Sequence, residues 1–212
     1  MRDLDPGSQT ATEFWEGIYH NASSKTSGIP SVILEKFAAE REPGNALDLG
    51  CAKGDDAVWL AKNGWTVVGV DVAPSVLRIA AENAERYGVS NQVCFEKHDL
   101  AETFPDGQFD LISAMFLETP LELPRAELFH RAAKALRRSG LLLIATHQIL
   151  APWAWGDPSV ERPDGRARLT ELDIDDKNWR EVFVGSVGRE ARGPEGQTAQ
   201  VKDAVVALKK LA

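Results

Sequence analysis

The stretch ALDLGCAKGDD, residues 46–56, decides how the rest of the chain is read. A short apolar run enters a turn crowded with small residues, and a helical pattern leaves it. That is how a nucleotide-binding strand–turn–helix begins. The dinucleotide fingerprint G-x-G-x-x-G, aligned on Gly50, needs glycines where Ala52 and Asp55 stand. Asp48, Asp55 and Asp56 surround the turn. Carboxylates there repel a pyrophosphate and attract a cation, so a ligand with an ammonium and a sulfonium but no phosphate fits better.

Outward from this turn the pattern is regular. NALDLG reads as a strand, DDAVWLAKNG as a helix ending at Gly64, and the valine-rich TVVGVDV as a strand buried on both faces. PSVLRIAAENAERYG is a helix with Pro74 in its first turn and Gly88 as its stop. QVCFEKHDL and FDLISAMF are the third and fourth strands. RAELFHRAAKALRRSG is an amphipathic helix stopped by Gly140, and GLLLIATH is the fifth strand. Strands alternating with helices imply a parallel sheet with helices on both faces.

Upstream, residues 1–12 read as a polar mobile arm, and residues 13–42 as a helical lid made of EFWEGIYHNA and SVILEKFAAERE. Downstream of His147, a long Pro-, Trp- and Asp-rich stretch precedes WREVFVGSVGREARG and AQVKDAVVALKKL. These read as an antiparallel hairpin at the sheet's far side, although the apolar spacing over 201–211 suits a helix equally. The expected fold is a Rossmann-like, seven-stranded, mostly parallel α/β sheet formed by one domain over residues 1–212.

The formal net charge of −8 disfavours broad nucleic-acid binding. No apolar run is long enough to span a bilayer, and the polar N-terminus has no signal-peptide character, so no membrane partner is expected. Cys51 and Cys94 form neither a disulfide framework nor a metal-ligand spacing; both are expected in the core, in a reducing cytoplasm. No metal site is expected.

In an open parallel sheet, ligands sit beyond the carboxyl ends of the strands. DLGCAKG, VDVA, KHDL and SAMFLE all fall there. Asp71, at the end of the second strand, suits both hydroxyls of a ribose, and Asp99, after the third, suits an exocyclic amine such as adenine's.

Together these residues resemble the class I S-adenosylmethionine-dependent methyltransferases. ALDLGCAKG is similar to their motif I, VVGVDVAP to the second motif, KHDL to the third and FDLISAMFL to the fourth. FWEGIY and the C-terminal hairpin further resemble the small tellurite-resistance and thiopurine-type enzymes. The resemblance implies S-adenosylmethionine as cofactor and S-adenosylhomocysteine as product. It implies that Asp48 and the backbone of Gly50, Cys51 and Ala52 hold the methionine part, while Gly54 lets the next helix start closely. Asp71 would bind the ribose, Val72 and Leu100 would flank the adenine, and Asp99 would meet its amine. Ala114 and Met115 would line the methionine end, with Trp15 and Tyr19 as a lid. Two departures stand out: Ala52 replaces a usual glycine, and Ala73 replaces a frequent helix-capping Ser or Thr, a loss of about 1 kcal/mol.

The expected reaction is in-line displacement onto a small-molecule acceptor. If the acceptor must lose a proton, His147, Tyr19 and Glu118 are the candidate bases, in that order; a thiol, selenol or reduced tellurium needs almost none. His20 is a further candidate for substrate contact. The stretch LAPWAWGDPSVERPDG either walls the acceptor site or anchors a loop across the sheet. Competing readings are a catalytically silent cofactor-binding protein, acting as sensor or partner subunit, and a nicotinamide oxidoreductase.

Overall fold

A computed structural model describes residues 7–20, 26–154, 156–174, 176–193 and 195–211. Seven strands form one sheet in the order β3-β2-β1-β4-β5-β7-β6. β1 (Asn45–Leu49), β2 (Thr66–Asp71), β3 (Val93–Lys97), β4 (Phe109–Met115) and β5 (Leu136–Ile149) run parallel. β6 (Trp179–Arg192) and β7 (Thr198–Lys210) form a hairpin, with β7 inserted antiparallel against β5. This matches the sheet expected from the sequence. It also resolves the ambiguous segment over 201–211 as strand: β7 has neighbours on both sides and a run of buried residues from Asp203 to Leu208.

Helices cover both faces. One apolar layer packs α2 (Val32–Ala38) and α3 (Asp55–Lys62) on the sheet around Leu34, Leu60, Trp65 and Leu143. The other packs α5 (Arg125–Ala135) around Phe129, Ile112 and Leu142. The chain order reverses between β2-β1 and β4-β5, so the crevice opens beyond the carboxyl ends of β1 and β4, directly at residues 49–54.

Several boundaries differ from the sequence expectation. The arm was expected to extend through Thr12, yet α1 spans Ala11–His20. The cause is a capping box: Thr10 Oγ1 accepts from Glu13 N, and Glu13 Oε2 accepts from Thr10 N. Residues 1–6, and the end of the expected first lid helix at 21–22, lie outside the described residues. The second lid helix is shorter than residues 31–42.

The helix expected to run to Gly140 ends at Ala135, and β5 starts at Leu136. Leu136 pairs with Phe109 and Leu141 with Leu111, so residues 137–140 bulge out of register, with Ser139 at φ 67°. Gly140 therefore closes a bulge rather than a helix. Cys94 does not reach the core: β3 is the edge strand and the thiol is exposed.

Candidate functional site

The site is built on the turn after β1. Gly50 N–H and Cys51 N–H both donate to Val70 O at 2.9 Å, which clamps the turn onto the end of β2. Gly50 has φ 72°, and a Cβ there would lie 2.7 Å from Leu117 Cδ1. Gly54 has φ 77° and starts α3 against Ala80 and Phe95, where a Cβ would meet carbon at 3.0 and 3.1 Å. Ala52 occupies the same left-handed region, at φ 45°, without glycine's freedom. Its N–H donates to Asp71 Oδ2 at 3.2 Å, and Ala73 N–H donates to Asp71 Oδ1 at 3.1 Å. One carboxylate thus ties the motif turn to the start of α4 (Pro74–Arg86). Ala73 supplies no side-chain cap there; Glu16 Oε1, from α1, accepts from Ser75 N–H at 2.8 Å instead.

Two adjoining cavities, of about 290 and 430 Å3, meet over this turn. Tyr19, Gly50, Ala52, Met115 and Phe116 line both. The first collects Asp71, Val72, Asp99 and Leu100 from the ends of β2 and β3, beneath Ala11 and Trp15 of α1. Its far wall is the loop after β4, with Leu117, Glu118, Thr119 and Glu122. Its acidic side chains are Asp71, Asp99, Glu118 and Glu122, and among the described residues no lysine or arginine lines it. The second cavity reaches Asp48, Cys51, Asp55 and Asp56 beneath Ile29, Pro30 and Val32, and carries Lys53 and Arg189.

Electrostatics at the base of the turn favour a cation. Burial, and then the repulsion of Asp56 and Asp71, push Asp48 well above the ordinary carboxylate range, against the hydrogen bond from Ser113 Oγ. Asp48 Oδ2 is buried without a partner. Burial also raises Asp71, although the N–H groups of Ala73 and Ala52 oppose this. Asp56 is pushed up to about 6 by burial, against the hydrogen bond from Ser31 N–H. Several carboxyl groups raised by desolvation around one cleft make it a candidate binding site.

The expected site residues divide by position. Trp15, Tyr19, Gly50, Ala52, Asp71, Val72, Asp99, Leu100 and Met115 line the first cavity, and Asp48 and Cys51 line the second. Gly54 lies behind the turn, where it lets α3 approach α4 and β3. Ala114 does not line the cleft. It is wholly buried in the core on the α5 side of the sheet, because alternation along β4 sends Met115, not its neighbour, toward the ligand.

The expected bases are also reordered. Glu118 lines the first cavity. His147 lines neither: its ring stacks on Phe116 with centroids 4.4 Å apart, its Nε2 lies 3.8 Å from Glu118 Oε2, and its Nδ1 lies 3.4 Å from Asp203 Oδ1. Tyr19 faces both cavities, but burial and the nearby Asp71 push its phenol far above its ordinary value, so it stays protonated. His20 is exposed at the end of α1 and borders neither cavity. No described residue of the 150–164 stretch lines them either. It folds back on β5, where Arg162 N–H donates to Gln148 O, and leads into α6 (Gly165–Glu171), whose Gly165 is pressed on the backbone of Gly185 in β6 and Val205 in β7.

Phe116, Leu117, Ile29 and Arg189 were not singled out from the sequence. Phe116 has φ 57°, uncommon for a bulky side chain and a mark of local strain at a site. Nothing in SAMFLE announces that conformation. Arg189 lies in strand β6, far from the motifs in sequence.

A parallel sheet with an antiparallel β7, a glycine turn after β1 and acidic residues at the ends of β2 and β3 together define a class I methyltransferase architecture. Residues 46–140 match the family described as "Methyltransferase domain". The 2-heptyl-1-hydroxyquinolin-4(1H)-one methyltransferase of Mycobacteroides abscessus is 36% identical over 169 residues, covering 77% of this chain and 74% of that protein. Erythromycin 3''-O-methyltransferase of Saccharopolyspora erythraea is 32% identical over 184 residues, covering 82% of this chain and 58% of that protein. In fold, the chain is similar to TehB from Haemophilus influenzae, with a TM-score of 0.67 at 17% identity, covering 94% of this chain and 67% of that one. The chain spans 32% to 74% of the length of curated relatives such as these. The chain belongs to the class I S-adenosylmethionine-dependent methyltransferases. Among the described residues, no helix is long and apolar enough to cross a membrane, and no group of His, Cys, Asp or Glu is arranged to hold a metal ion.

Proposed function

We propose that this site methylates a small-molecule acceptor, with S-adenosylmethionine spanning the two cavities. The observation that carries the reading is the acid-lined turn with the partnerless Asp48 Oδ2 at its base. That oxygen suits the cofactor's ammonium. The backbone of Gly50, Cys51 and Ala52 follows the methionine chain, Asp71 takes the ribose hydroxyls, Val72 and Leu100 flank the adenine, and Asp99 accepts from its amine. Met115 borders the methionine end, and Trp15 and Tyr19 close over the nucleoside. When bound, the cofactor supplies a methyl group on a sulfonium, already a good leaving group.

The protein's own contribution is alignment and exclusion of water. Phe116 and Tyr19, which border both cavities, stand where an acceptor approaches. Where the acceptor must shed a proton inside the first cavity, Glu118 is the group within reach, and His147 supports it from behind Phe116. A small acceptor suits the confined cavities, each bounded by α1 or the 26–32 segment. The named substrates of the two relatives, a hydroxyquinolone and a macrolide, are likewise small molecules.

The test is methyl transfer from labelled S-adenosylmethionine to a panel of phenols, thiols, amines and 2-heptyl-1-hydroxyquinolin-4(1H)-one. Labelled product from at least one member is expected. Tight binding of S-adenosylhomocysteine with no transfer to any member would instead favour a silent cofactor-binding protein.

A further inference from the structure

The two cavities differ in the cationic side chains that line them. The first has acidic side chains and, among the described residues, no lysine or arginine. The second carries Arg189, held in an unusual setting. Its Nε donates to Asp203 Oδ2 at 2.6 Å, its Nη2 lies 3.4 Å from Asp203 Oδ1, and its Cζ stands 5.7 Å from the centroid of Phe116. Asp203 is fully buried on β7, and its Oδ1 also faces His147 Nδ1 of β5. A buried carboxylate and an aromatic ring therefore fix the guanidinium on the wall of the second cavity. A pinned arginine there recognises anionic oxygen or sulfur better than a mobile ammonium does.

The other charged groups lining this cavity are Asp48, Asp55, Asp56 and Lys53. Asp55 is taken up by Ser27, the Gly28 N–H and Asn83. Asp56 accepts from Ser31 N–H. Asp48 lies at the buried base of the turn. Tyr19, the shared wall, stays a neutral phenol. Lys53 is a second cation on the lining of this cavity. None of Tyr19, His147 or Glu118 offers a ready base in the second cavity.

We propose that Arg189, positioned by Asp203 and Phe116, binds the acceptor as its anion, so that the enzyme selects flat apolar molecules bearing an acidic O–H, N–OH or S–H group. This rests on the methyltransferase reading above. The acceptor loses its proton to solvent on binding. Its lone pair then forms the new bond to the methyl carbon while the carbon–sulfur bond breaks, the electron pair staying on sulfur as a neutral thioether. No enzyme base takes part. Ile29, Pro30 and Val32 supply apolar lining in the same cavity.

The test uses 4-nitrophenol as probe, titrated against the protein loaded with S-adenosylhomocysteine, with the phenolate's visible absorbance read across pH. The wild-type protein is expected to lower the bound phenol's pKa by about 1 unit or more, as an adjacent opposite charge does. Arg189→Lys should keep part of the shift and Arg189→Met should lose it. Because Arg189→Met strands Asp203, the double variant R189M/D203N is run beside it and should lose the shift equally. Calorimetry with S-adenosylhomocysteine alone should show the same cofactor affinity in every variant. The proposal is overturned by an unshifted or unbound phenol in the wild type, or by a shift that survives Arg189→Met. It is also overturned by a loss of S-adenosylhomocysteine affinity in Arg189→Met, which would assign the guanidinium to the cofactor's carboxylate. Failure of the wild type to bind S-adenosylhomocysteine would overturn the methyltransferase reading itself, and the proposal with it.

Discussion

Ala52 carries the motif's departure from glycine in its backbone, at φ 45°. A left-handed L-residue costs roughly 1–2 kcal/mol, and glycine's extra unfolded-state freedom returns about 0.5–1 kcal/mol of that on replacement. Ala52→Gly is therefore expected to raise stability by about 0.5–1 kcal/mol in urea unfolding; a loss of stability would show that the methyl group packs favourably enough to outweigh the strain. Asp56 makes a pH prediction. Its folded-state value, about 6, lies above the ordinary 3.8, so the folded form holds its proton more tightly than the unfolded chain. Stability attributable to this group must then fall as pH rises from about 4 to about 6 and stay lower above that. Asp56→Asn keeps an oxygen for Ser31 N–H and removes the titration. Its melting temperature should exceed the wild type's at pH 7 and converge with it near pH 4. Parallel pH curves for the two proteins would contradict the assignment.

Among the elements, α4 shows how a local deficit is met from elsewhere. Ala73 provides no cap, but Asp71 accepts from Ala73 N–H and Glu16 of α1 accepts from Ser75 N–H. α1 and α4 are thus joined at one N-terminus. Glu16→Ala should cost about 1 kcal/mol by removing that hydrogen bond, and should quicken amide exchange at Ser75 more than in the rest of α4. Unchanged exchange at Ser75 would show that the contact is not maintained in solution. The alternation of strands and helices, and with it the sheet, was legible because each parallel strand is a short apolar run and each helix has a stop. Three features were not. The bulge at 137–140 follows a helical charge pattern without a break, because Arg137 and Arg138 are exposed in either conformation. The capping box at Thr10–Glu13 hid inside a stretch read by its polarity. The edge position of β3, which exposes Cys94, depends on strand order rather than on the strand's own residues.

At the scale of the whole molecule, the cleft lies where the strand order reverses, and its parts were legible where a sequence motif marks the strand end. The residues at the ends of β1, β2 and β3 stand beside recognisable motifs. Phe116 and Arg189 do not: one depends on a backbone angle, and the other arrives across β7 and β5 from the hairpin. His147, the first candidate base from the sequence, lies within β5 with its ring stacked on Phe116 and lines neither cavity. On the proposed function, the acidic turn and Asp71 together hold S-adenosylmethionine. The direct measurement is calorimetric titration of S-adenosylhomocysteine into the wild-type protein and Asp71→Ala, with thermal unfolding to establish that the variant is folded. One-to-one binding to the wild type, weakened at least about ten-fold in the variant by the loss of roughly 1.4 kcal/mol or more of ribose hydrogen bonding, is the predicted result. Absence of wild-type binding, or equal affinity in a folded Asp71→Ala protein, would contradict it.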